Sequence, residues 1–240
     1  MKIKLTISYD GSNFNGSQIQ PDFPTVQSVL LDVLSILNIT TKLDFSGRTD
    51  KGVHAFKQVV SCDIPDYWYD LKRLTLALNK QLPSSIVVRN IQKVSDDFHA
   101  RFSAKKREYR YLLSTKKTTP FNANYVSYYK NIDTHKIKEA IQLFVGTHDF
   151  EYFSKKGSDP HSTIREIYDI KFYKYKDLYV LNFKANAYLR SQIRMMVDFI
   201  MKISSDKLTV SELKEQLNKK KLISWTLAPS QGLYLSKIHY

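Results

Sequence analysis

Cysteine is almost absent from this sequence: Cys62 is the only one among 240 residues. A single cysteine cannot form an intramolecular disulfide bond, and it cannot build a zinc site from several thiolates. The metal-binding patterns HExxH, HxH and CxxC are missing as well. Because the VVSCDI stretch is largely apolar, Cys62 is expected to fill space in a core. We therefore predict no metal site. The histidines of the central region stand at no metal-ligand spacing: His54, His99, His148 and His161.

Long apolar runs are also missing. No stretch approaches the roughly 18 consecutive apolar residues that a membrane-spanning helix needs. The N-terminal MKIKLTISYDG alternates between polar and apolar residues like a strand, and it has no signal-peptide core or cleavage site. The sequence therefore predicts a cytoplasmic protein without a membrane partner.

Acidic residues are few relative to basic ones, with 23 Asp+Glu against 37 Lys+Arg and a net charge of +14. Such an excess favours a polyanionic partner, nucleic acid first and an anionic membrane surface second, although solubility alone could also account for it. Sixteen tyrosines are interleaved with the basic residues. Lysine and arginine bind phosphates and aromatic rings stack on bases, so RNA or DNA is the favoured partner. Basic residues occur in clusters, among them Lys105, Lys106 and Arg107; Lys116 and Lys117; Lys155 and Lys156; and Lys219, Lys220 and Lys221.

Periodicity predicts the same order of elements, β-α-β-β-α-β, in each half of the chain. This order is typical of the split-βαβ fold, which is ferredoxin-like and RRM-like. We therefore expect an α+β protein whose two halves form a continuous antiparallel sheet with a basic cleft. Residues 1–104 would be an N-terminal α/β domain that carries the aspartate loop described below, and residues 105–240 a C-terminal α/β domain. The predicted strands are 2–11, 41–46, 56–64, 86–94, 107–115, 164–175, 178–187 and 232–240; the predicted helices are 25–38, 70–83, 133–146, 188–203 and a short 211–220. Thr25, Asp70 and Ser211 are the expected N-caps of the first, second and last of these helices.

Glycine is scarce too, with seven in the chain, yet Gly47 and Gly52 frame one short loop in FSGRTDKGVHAF. Glycines allow a tight backbone path that can present the residues between them toward one spot. Asp50 lies there between Arg48 and Lys51, and neighbouring positive charges favour an ionised carboxylate suited to nucleophilic attack. An aspartate that only stabilises its own turn is the alternative. The Walker motif is excluded, because valine follows the second glycine.

Two further stretches carry candidate site residues. In YLRSQIRMM, Arg190 and Arg194 are four residues apart and are expected to share one face of the predicted helix. An arginine on a largely apolar face needs a carboxylate or phosphate partner, unless it extends to the surface. In KREYRY, Tyr109 and Tyr111 are expected on the same face of a strand, where packing in the sheet is the simpler explanation.

GRTDKGVHA resembles the signature of the TruA family of tRNA pseudouridine synthases. The segments YDGSNFNGSQIQ, LNKQLPSSIVV, FHARFSAKKREYRY, GTHDF, YLRSQIRMMV and APSQGLYL are similar to the family's other motifs and follow in its order over nearly the whole chain. Three positions depart from the pattern. Lys51 stands where alanine is usual, Ser17 where an aromatic residue is common, and Asp198 where glycine is frequent.

The resemblance implies isomerisation of uridine to pseudouridine at positions 38–40, in the anticodon stem-loop of tRNA, after the base has been flipped out. Asp50 would be the nucleophile, and Arg194 would pair with it. Tyr109 would stack on the uracil and help to remove the C5 proton. Arg48 would fill the place of the flipped nucleotide or contact its phosphate.

The resemblance also implies that the protein acts as a homodimer and needs neither a metal nor an organic cofactor. Contacts to the substrate are expected from Tyr109 and Arg48, and from the basic cluster Lys105, Lys106 and Arg107. The residues alone leave two alternatives. A non-catalytic pair of RRM-like folds would explain the charge but lacks a clear RNP1 motif. A glycosidase-like or nuclease enzyme would need a second acid beside Asp50, and the sequence offers no convincing one.

Overall fold

A computed structural model describes residues 1–157 and 161–240. The chain has mixed α+β structure, and its strand pairs are mostly antiparallel, as predicted. It divides into two compact units, Met1–Lys105 with Tyr234–Tyr240, and Lys106–Leu233. This division differs from the predicted domains at the C-terminus, because the last strand groups with the first unit. Local alternation predicts that a strand exists but does not predict its partner, which explains the difference.

The first unit has the strand order β4-β1-β3-β2, which is that of the ferredoxin-like fold. The three strand pairs in this order are all antiparallel. The predicted strand 41–46 is reduced to two residues. The elements are β1 (Lys2–Tyr9), α1 (Val26–Ile36), β2 (Asp44–Phe45), β3 (His54–Asp63), α2 (Leu71–Gln81) and β4 (Ile86–Lys93).

Both helices of the first unit begin at the predicted caps. The Thr25 hydroxyl accepts a hydrogen bond from the backbone N–H of Ser28, and the backbone N–H of Thr25 donates one to the Ser28 hydroxyl, which forms a capping box before α1. Asp70 accepts from the N–H groups of Lys72 and Arg73, each at 3.0 Å, before α2. The apolar faces of the strands and helices form the core, with Ile3, Leu5, Ile7, Leu30, Leu34, Leu74 and Leu78 nearly inaccessible to solvent.

The second unit has the antiparallel order β5-β9-β8-β7, with a short parallel strand beside β5. Two strands, β6 and β7, are absent from the prediction, because two and four residues are too short to show alternation. The elements are β5 (Lys106–Ser114), β6 (Ser127–Tyr128), α3 (Thr134–Leu143), β7 (Gly146–Asp149), β8 (Ile164–Tyr175), β9 (Leu178–Ala185), α4 (Gln192–Ser204) and α5 (Val210–Leu217).

Helix α4 is the buried centre of the second unit, and it begins four residues later than predicted. Ser191 adopts a left-handed conformation with φ of +59°, which is incompatible with a continuing helix. Arg190 therefore lies outside the helix, and the prediction that it shares a helix face with Arg194 is wrong. The cap predicted for α5 is also wrong, because Thr209 occupies that position and forms a capping box with Glu212.

The last strand, β10 (Leu233–His239), pairs in parallel with the start of β3. Its Tyr234 stacks on His54 with ring centroids 4.6 Å apart and on Phe56 at 4.8 Å. These contacts support the strand that leaves the Gly-framed loop. In the part of the chain that the structure describes, no helix is long and apolar enough to cross a membrane, and no three His, Cys, Asp or Glu side chains could hold a metal together.

Candidate active site

The Gly-framed loop, residues 46–53, joins β2 to β3 and is attached to β3 at its first residues. Ser46 donates its backbone N–H to the carbonyl of Val59 at 2.9 Å. The fully buried Gln58 accepts from the Ser46 hydroxyl at 2.6 Å and donates to the carbonyl of Gly47 at 2.8 Å. The beginning of the loop therefore has its backbone polar groups satisfied and its path constrained.

The centre of the loop is held by the N-terminal segment. The N–H of Thr49 donates to the Ser17 hydroxyl at 2.9 Å, and the N–H of Ser17 donates to the Thr49 carbonyl at 3.1 Å. The Thr49 hydroxyl lies 2.8 Å from that of Tyr9 at the end of β1. Ser17 is fully buried. The departure at Ser17 therefore has a structural role, because its small polar side chain satisfies a backbone donor of this loop.

Two glycines permit this close approach of backbone to backbone. Gly16 has φ of +99°, and a Cβ there would lie 2.8 Å from the Thr49 carbonyl oxygen. A Cβ at Gly11 would lie 2.1 Å from the carbonyl oxygen of Val53. Any side chain at either position would displace the loop. The YDGSNFNGS motif thus supports both ends of the segment that carries Asp50.

Asp50 follows the buried Thr49 and is itself partly exposed. Its carbonyl accepts the N–H of Val53 at 3.1 Å, and Gly52 has φ of +77°, so the turn after Asp50 is closed by backbone atoms. Arg48 and Lys51 are exposed on either side. The loop therefore presents one carboxylate between two cationic side chains from a backbone fixed by its neighbours.

The strand that follows carries a buried histidine, His54, which the sequence favours as a hydrogen-bonded structural residue and not as a metal ligand. His54 is 2% exposed and accepts the N–H of Gly11 on Nδ1 at 3.0 Å, with a carboxylate oxygen of Asp10 at 3.2 Å.

Burial raises the pKa of Tyr9 to about 12, so its hydroxyl stays protonated beside Thr49 at neutral pH. No sequence pattern signals these contacts, because they join segments about 40 residues apart.

Tyr109 lies on β5 and is buried, with its ring edge-on to Tyr188 at 5.3 Å between centroids. Tyr111 is buried on the same face of the strand, as predicted. Its hydroxyl donates to the carbonyl of Pro229 at 2.8 Å and lies 2.8 Å from the hydroxyl of Ser127. Burial raises the pKa of Tyr111 well above its ordinary value, and the positive charge of Arg194 opposes that rise.

Arg194 is in the first turn of α4 and is partly exposed. Its Nε donates to the carbonyl of Ala228 at 2.8 Å, and its own carbonyl accepts the N–H of Ala228 at 3.0 Å. In the same APSQG segment, a Cβ on Gly232 would lie 2.5 Å from the Ser127 hydroxyl oxygen and 2.9 Å from the carbonyl oxygen of Leu112. The closing motif of the sequence therefore packs against the strand of Tyr111 and orients Arg194.

The predicted basic cluster is divided by burial. Lys105 and Lys106 are exposed, and the ammonium group of Lys106 lies over the ring of Tyr168 at 5.5 Å. Arg107 is only 9% exposed, and its guanidinium donates to the carbonyl of Asn186 at 2.8 Å. The two lysines thus suit contacts with a ligand better than the arginine does.

Comparisons with known proteins converge on one activity. A family model described as tRNA pseudouridine synthase matches residues 5–103 and 140–240. The chain is 45% identical over 240 residues to a tRNA pseudouridine synthase A of Campylobacter jejuni subsp. doylei, with 100% of both chains covered. It is 41% identical over 234 residues to one of Wolinella succinogenes, covering 98% of this chain and 92% of the relative. A tRNA pseudouridine synthase A 1 of Bacillus cereus is 36% identical over 247 residues, covering 100% and 98%.

Replacing Ser17 by alanine should loosen the loop selectively. The variant leaves the buried N–H of Thr49 without its acceptor, and an unsatisfied buried donor costs about 1–3 kcal/mol. We expect a loss of that size in the free energy of unfolding, measured with urea, together with faster hydrogen exchange at the Thr49 amide. Ser61→Ala is the matched control, because Ser61 is 2% exposed and accepts the N–H of Ala100 at 3.0 Å. Ser61→Ala should lower stability without changing Thr49 exchange; unchanged Thr49 protection in Ser17→Ala would contradict the role of Ser17.

Proposed function

Because this chain belongs to the tRNA pseudouridine synthase family, and is therefore an isomerase that forms pseudouridine in tRNA, we propose that its targets are the uridines at positions 38–40 of the anticodon stem-loop. In this reaction the C1′–N1 bond breaks, the base turns, and a C1′–C5 bond forms. The proton on C5 leaves and N1 gains one, so no external reactant is consumed. The anchored loop 46–53 is the observation that carries the proposal for this chain.

Asp50 is the proposed nucleophile. The supporting geometry is that of the residue directly before Asp50 in the loop. This residue, Thr49, is buried, and its backbone is held by hydrogen bonds with Ser17. A nucleophile that is positioned before the substrate arrives needs little reorganisation in the reaction. Attack on C1′ of the sugar and attack on the base are both compatible with this role.

Tyr109 and Arg194 are proposed to act with Asp50 in the same reaction. Tyr109 would stack on the uracil and assist removal of the C5 proton, since an aromatic phenol can combine the two roles. Arg194 would stabilise the negative charge of the Asp50 carboxylate, and its guanidinium offers a planar set of donors that suits a carboxylate. In support, Tyr109 is buried on β5, where it pairs with Phe183 of β9, and Arg194 is oriented by the carbonyl of Ala228.

The target base must leave the helical stack before it can react, which costs a few kcal/mol. Arg48, exposed beside Asp50, is proposed to fill the space that the base leaves or to contact its phosphate. Lys105 and Lys106 are the proposed phosphate contacts, because both are exposed. Arg107 would serve mainly by orienting the β5 backbone, since it is buried.

Loss of the Asp50 carboxylate should abolish the chemistry. We expect Asp50→Ala to form no detectable pseudouridine in unmodified tRNA transcript, measured by carbodiimide labelling and primer extension, with stops at positions 38–40 for the unchanged protein. Lys51→Ala is the matched control in the same loop, because Lys51 is exposed and is a departure from the family pattern. It should retain activity.

Two outcomes of that experiment would overturn parts of the proposal. Full activity in Asp50→Ala would exclude Asp50 as the nucleophile. Pseudouridine only outside positions 38–40 would exclude these positions as the target. Tight tRNA binding with no pseudouridine formed by the unchanged protein would favour the non-catalytic RNA-binding alternative.

Binding of tRNA should weaken steeply with salt, because each phosphate contact releases condensed counterions. The salt dependence is measured as the slope of log affinity against log salt concentration. In the Lys105→Ala/Lys106→Ala double variant, this slope should be shallower by about 2, which is about 1 for each lysine removed. Lys42→Ala is the control, since Lys42 is an exposed lysine outside the proposed interface whose ammonium group lies 3.7 Å from the Asp44 carboxylate. Equal slopes for the unchanged protein and both variants would show that Lys105 and Lys106 do not contact tRNA phosphates.

We also propose that the enzyme acts as a homodimer in the cytoplasm. Sedimentation velocity at the protein concentration of the activity assay should show a species of twice the 28.0 kDa chain mass. A single species at the mass of one chain, with full activity, would contradict the dimer.

A further inference from the structure

Residues 223–229, here called the strap, follow α5 and include the first two residues of the APSQG motif. Its first residues are held by Gln216 on α5, which is fully buried. The amide oxygen of Gln216 accepts the N–H groups of Ile223 at 2.9 Å and Ser224 at 2.8 Å. Its amide nitrogen donates to the carbonyls of Ser224 at 2.8 Å and Tyr152 at 3.0 Å. One glutamine thus uses all four of its hydrogen-bonding positions to fix the start of the strap.

The middle of the strap is held by α4 through Asp198. The Oδ2 atom of Asp198 accepts a hydrogen bond from the hydroxyl of Thr226, and it lies 2.8 Å from the ammonium group of Lys202. Lys202 also donates to the hydroxyls of Thr226 and Ser224, the latter at 2.9 Å. Hydrogen bonds to charged groups are stronger than neutral ones, so this cluster fixes Thr226 more firmly than a neutral contact would.

The end of the strap meets α4 one turn earlier, at Arg194. Positions 194 and 198 are four residues apart and therefore lie on the same face of the helix. Ala228 is bound there by two hydrogen bonds, from its N–H to the Arg194 carbonyl and from the Arg194 Nε to its carbonyl. Because the guanidinium group is planar and rigid, fixing Nε also fixes the direction of its two terminal nitrogens.

We propose that Asp198 is a positioning residue for Arg194: through Thr226 it holds the strap so that the Ala228 carbonyl aims the guanidinium. This rests on the proposed function of Arg194 in the reaction. Asp198 stands where glycine is frequent in the family pattern. Glycine has no side chain that could bind Thr226, so a family member with glycine there would lack this contact. If Asp198 served only as the i,i+4 partner of Lys202, its loss would leave the strap and Arg194 undisturbed.

Four single variants separate these possibilities: Asp198→Ala, Asp198→Asn, Thr226→Val and Thr226→Ser. In Asp198→Ala and Thr226→Val, we expect kcat for pseudouridine formation to fall about ten- to a hundredfold with little change in KM, because small displacements of a positioned group affect the reacting state most. Thr226→Ser keeps the hydroxyl and should retain most of kcat. The Asp198→Ala/Thr226→Val double variant should lose no more than the worse single variant, because both act through one link.

A second measurement reads the orientation of Arg194 without any activity assay. In the free protein, the ¹⁵N–¹H signal of the Arg194 Nε, identified by its absence in Arg194→Lys, should exchange slowly with solvent. Asp198→Ala and Thr226→Val should speed this exchange. The control is Asp206→Asn, which alters another ion pair of this unit, Asp206 with Lys136 at 2.5 Å, and should change neither kcat nor the Arg194 signal.

The two readouts distinguish failure of the inference from failure of the proposed function. An unchanged Arg194 signal in both Asp198→Ala and Thr226→Val overturns the positioning role, whatever happens to kcat. A changed signal with kcat intact would show that the strap orients Arg194 but that the reaction does not depend on this orientation. That result would contradict the proposed role of Arg194 in the reaction. If Asp198→Ala fails to fold, Asp198→Asn and Thr226→Val supply the same test.

Discussion

The reciprocal hydrogen bonds between Ser17 and Thr49 are the constraint on which the site in the first unit depends. They tie the residue before Asp50 to a segment 32 positions earlier in the chain. Since the backbone of Thr49 is fixed, the Cα of Asp50 has little freedom, and only the side-chain torsions remain to be set. Gly16 makes this possible, because a Cβ there would come within 2.8 Å of the Thr49 carbonyl oxygen. A rigid backbone with one partly exposed carboxylate is what a positioned nucleophile requires.

Much of the secondary structure was predictable, because the long elements have clear periodicity. Strand β8 and the caps Thr25 and Asp70 are confirmed. The errors have physical causes. The left-handed Ser191 shortens α4 and removes Arg190 from it, although serine carries no strong signal for that conformation. The parallel pairing of the last strand with β3 joins residues far apart in the chain, and no local pattern encodes such a pairing.

The candidate site was predictable in a different way. From residue types alone, Asp50 remained either a nucleophile or a turn-forming residue, and the proposal that it is the nucleophile comes from the ordered motifs. The supports of the site were not predictable: Gln58 on Gly47, Tyr9 on Thr49 and Gln216 on the strap are polar contacts that buried side chains make to other segments of the chain. Each satisfies groups that would otherwise be buried without partners, so their presence follows from the fold and not from the motif.

The departures from the family pattern divide by burial. Ser17 and Asp198 both make hydrogen bonds that hold a segment next to a proposed catalytic residue, whereas Lys51 is exposed. A buried or half-buried polar departure must be matched by neighbours that satisfy it, here the N–H of Thr49 for Ser17 and the hydroxyl of Thr226 for Asp198. An exposed departure needs no such match. Two of the three departures thus contribute hydrogen bonds to segments beside the proposed reacting groups.

Charge shows why sequence clusters are a poor guide to an interface. Lys219 belongs to a basic run, yet its ammonium group lies 2.6 Å from Asp149 and 3.2 Å from Glu151. Those carboxylates raise the pKa of Lys219, and its charge is largely balanced within the second unit. Arg107, in another run, is buried. A cation that is already paired releases few counterions when RNA binds. The net charge of +14 therefore supports a polyanionic partner, while exposure and pairing, not adjacency in sequence, select which lysines can meet it.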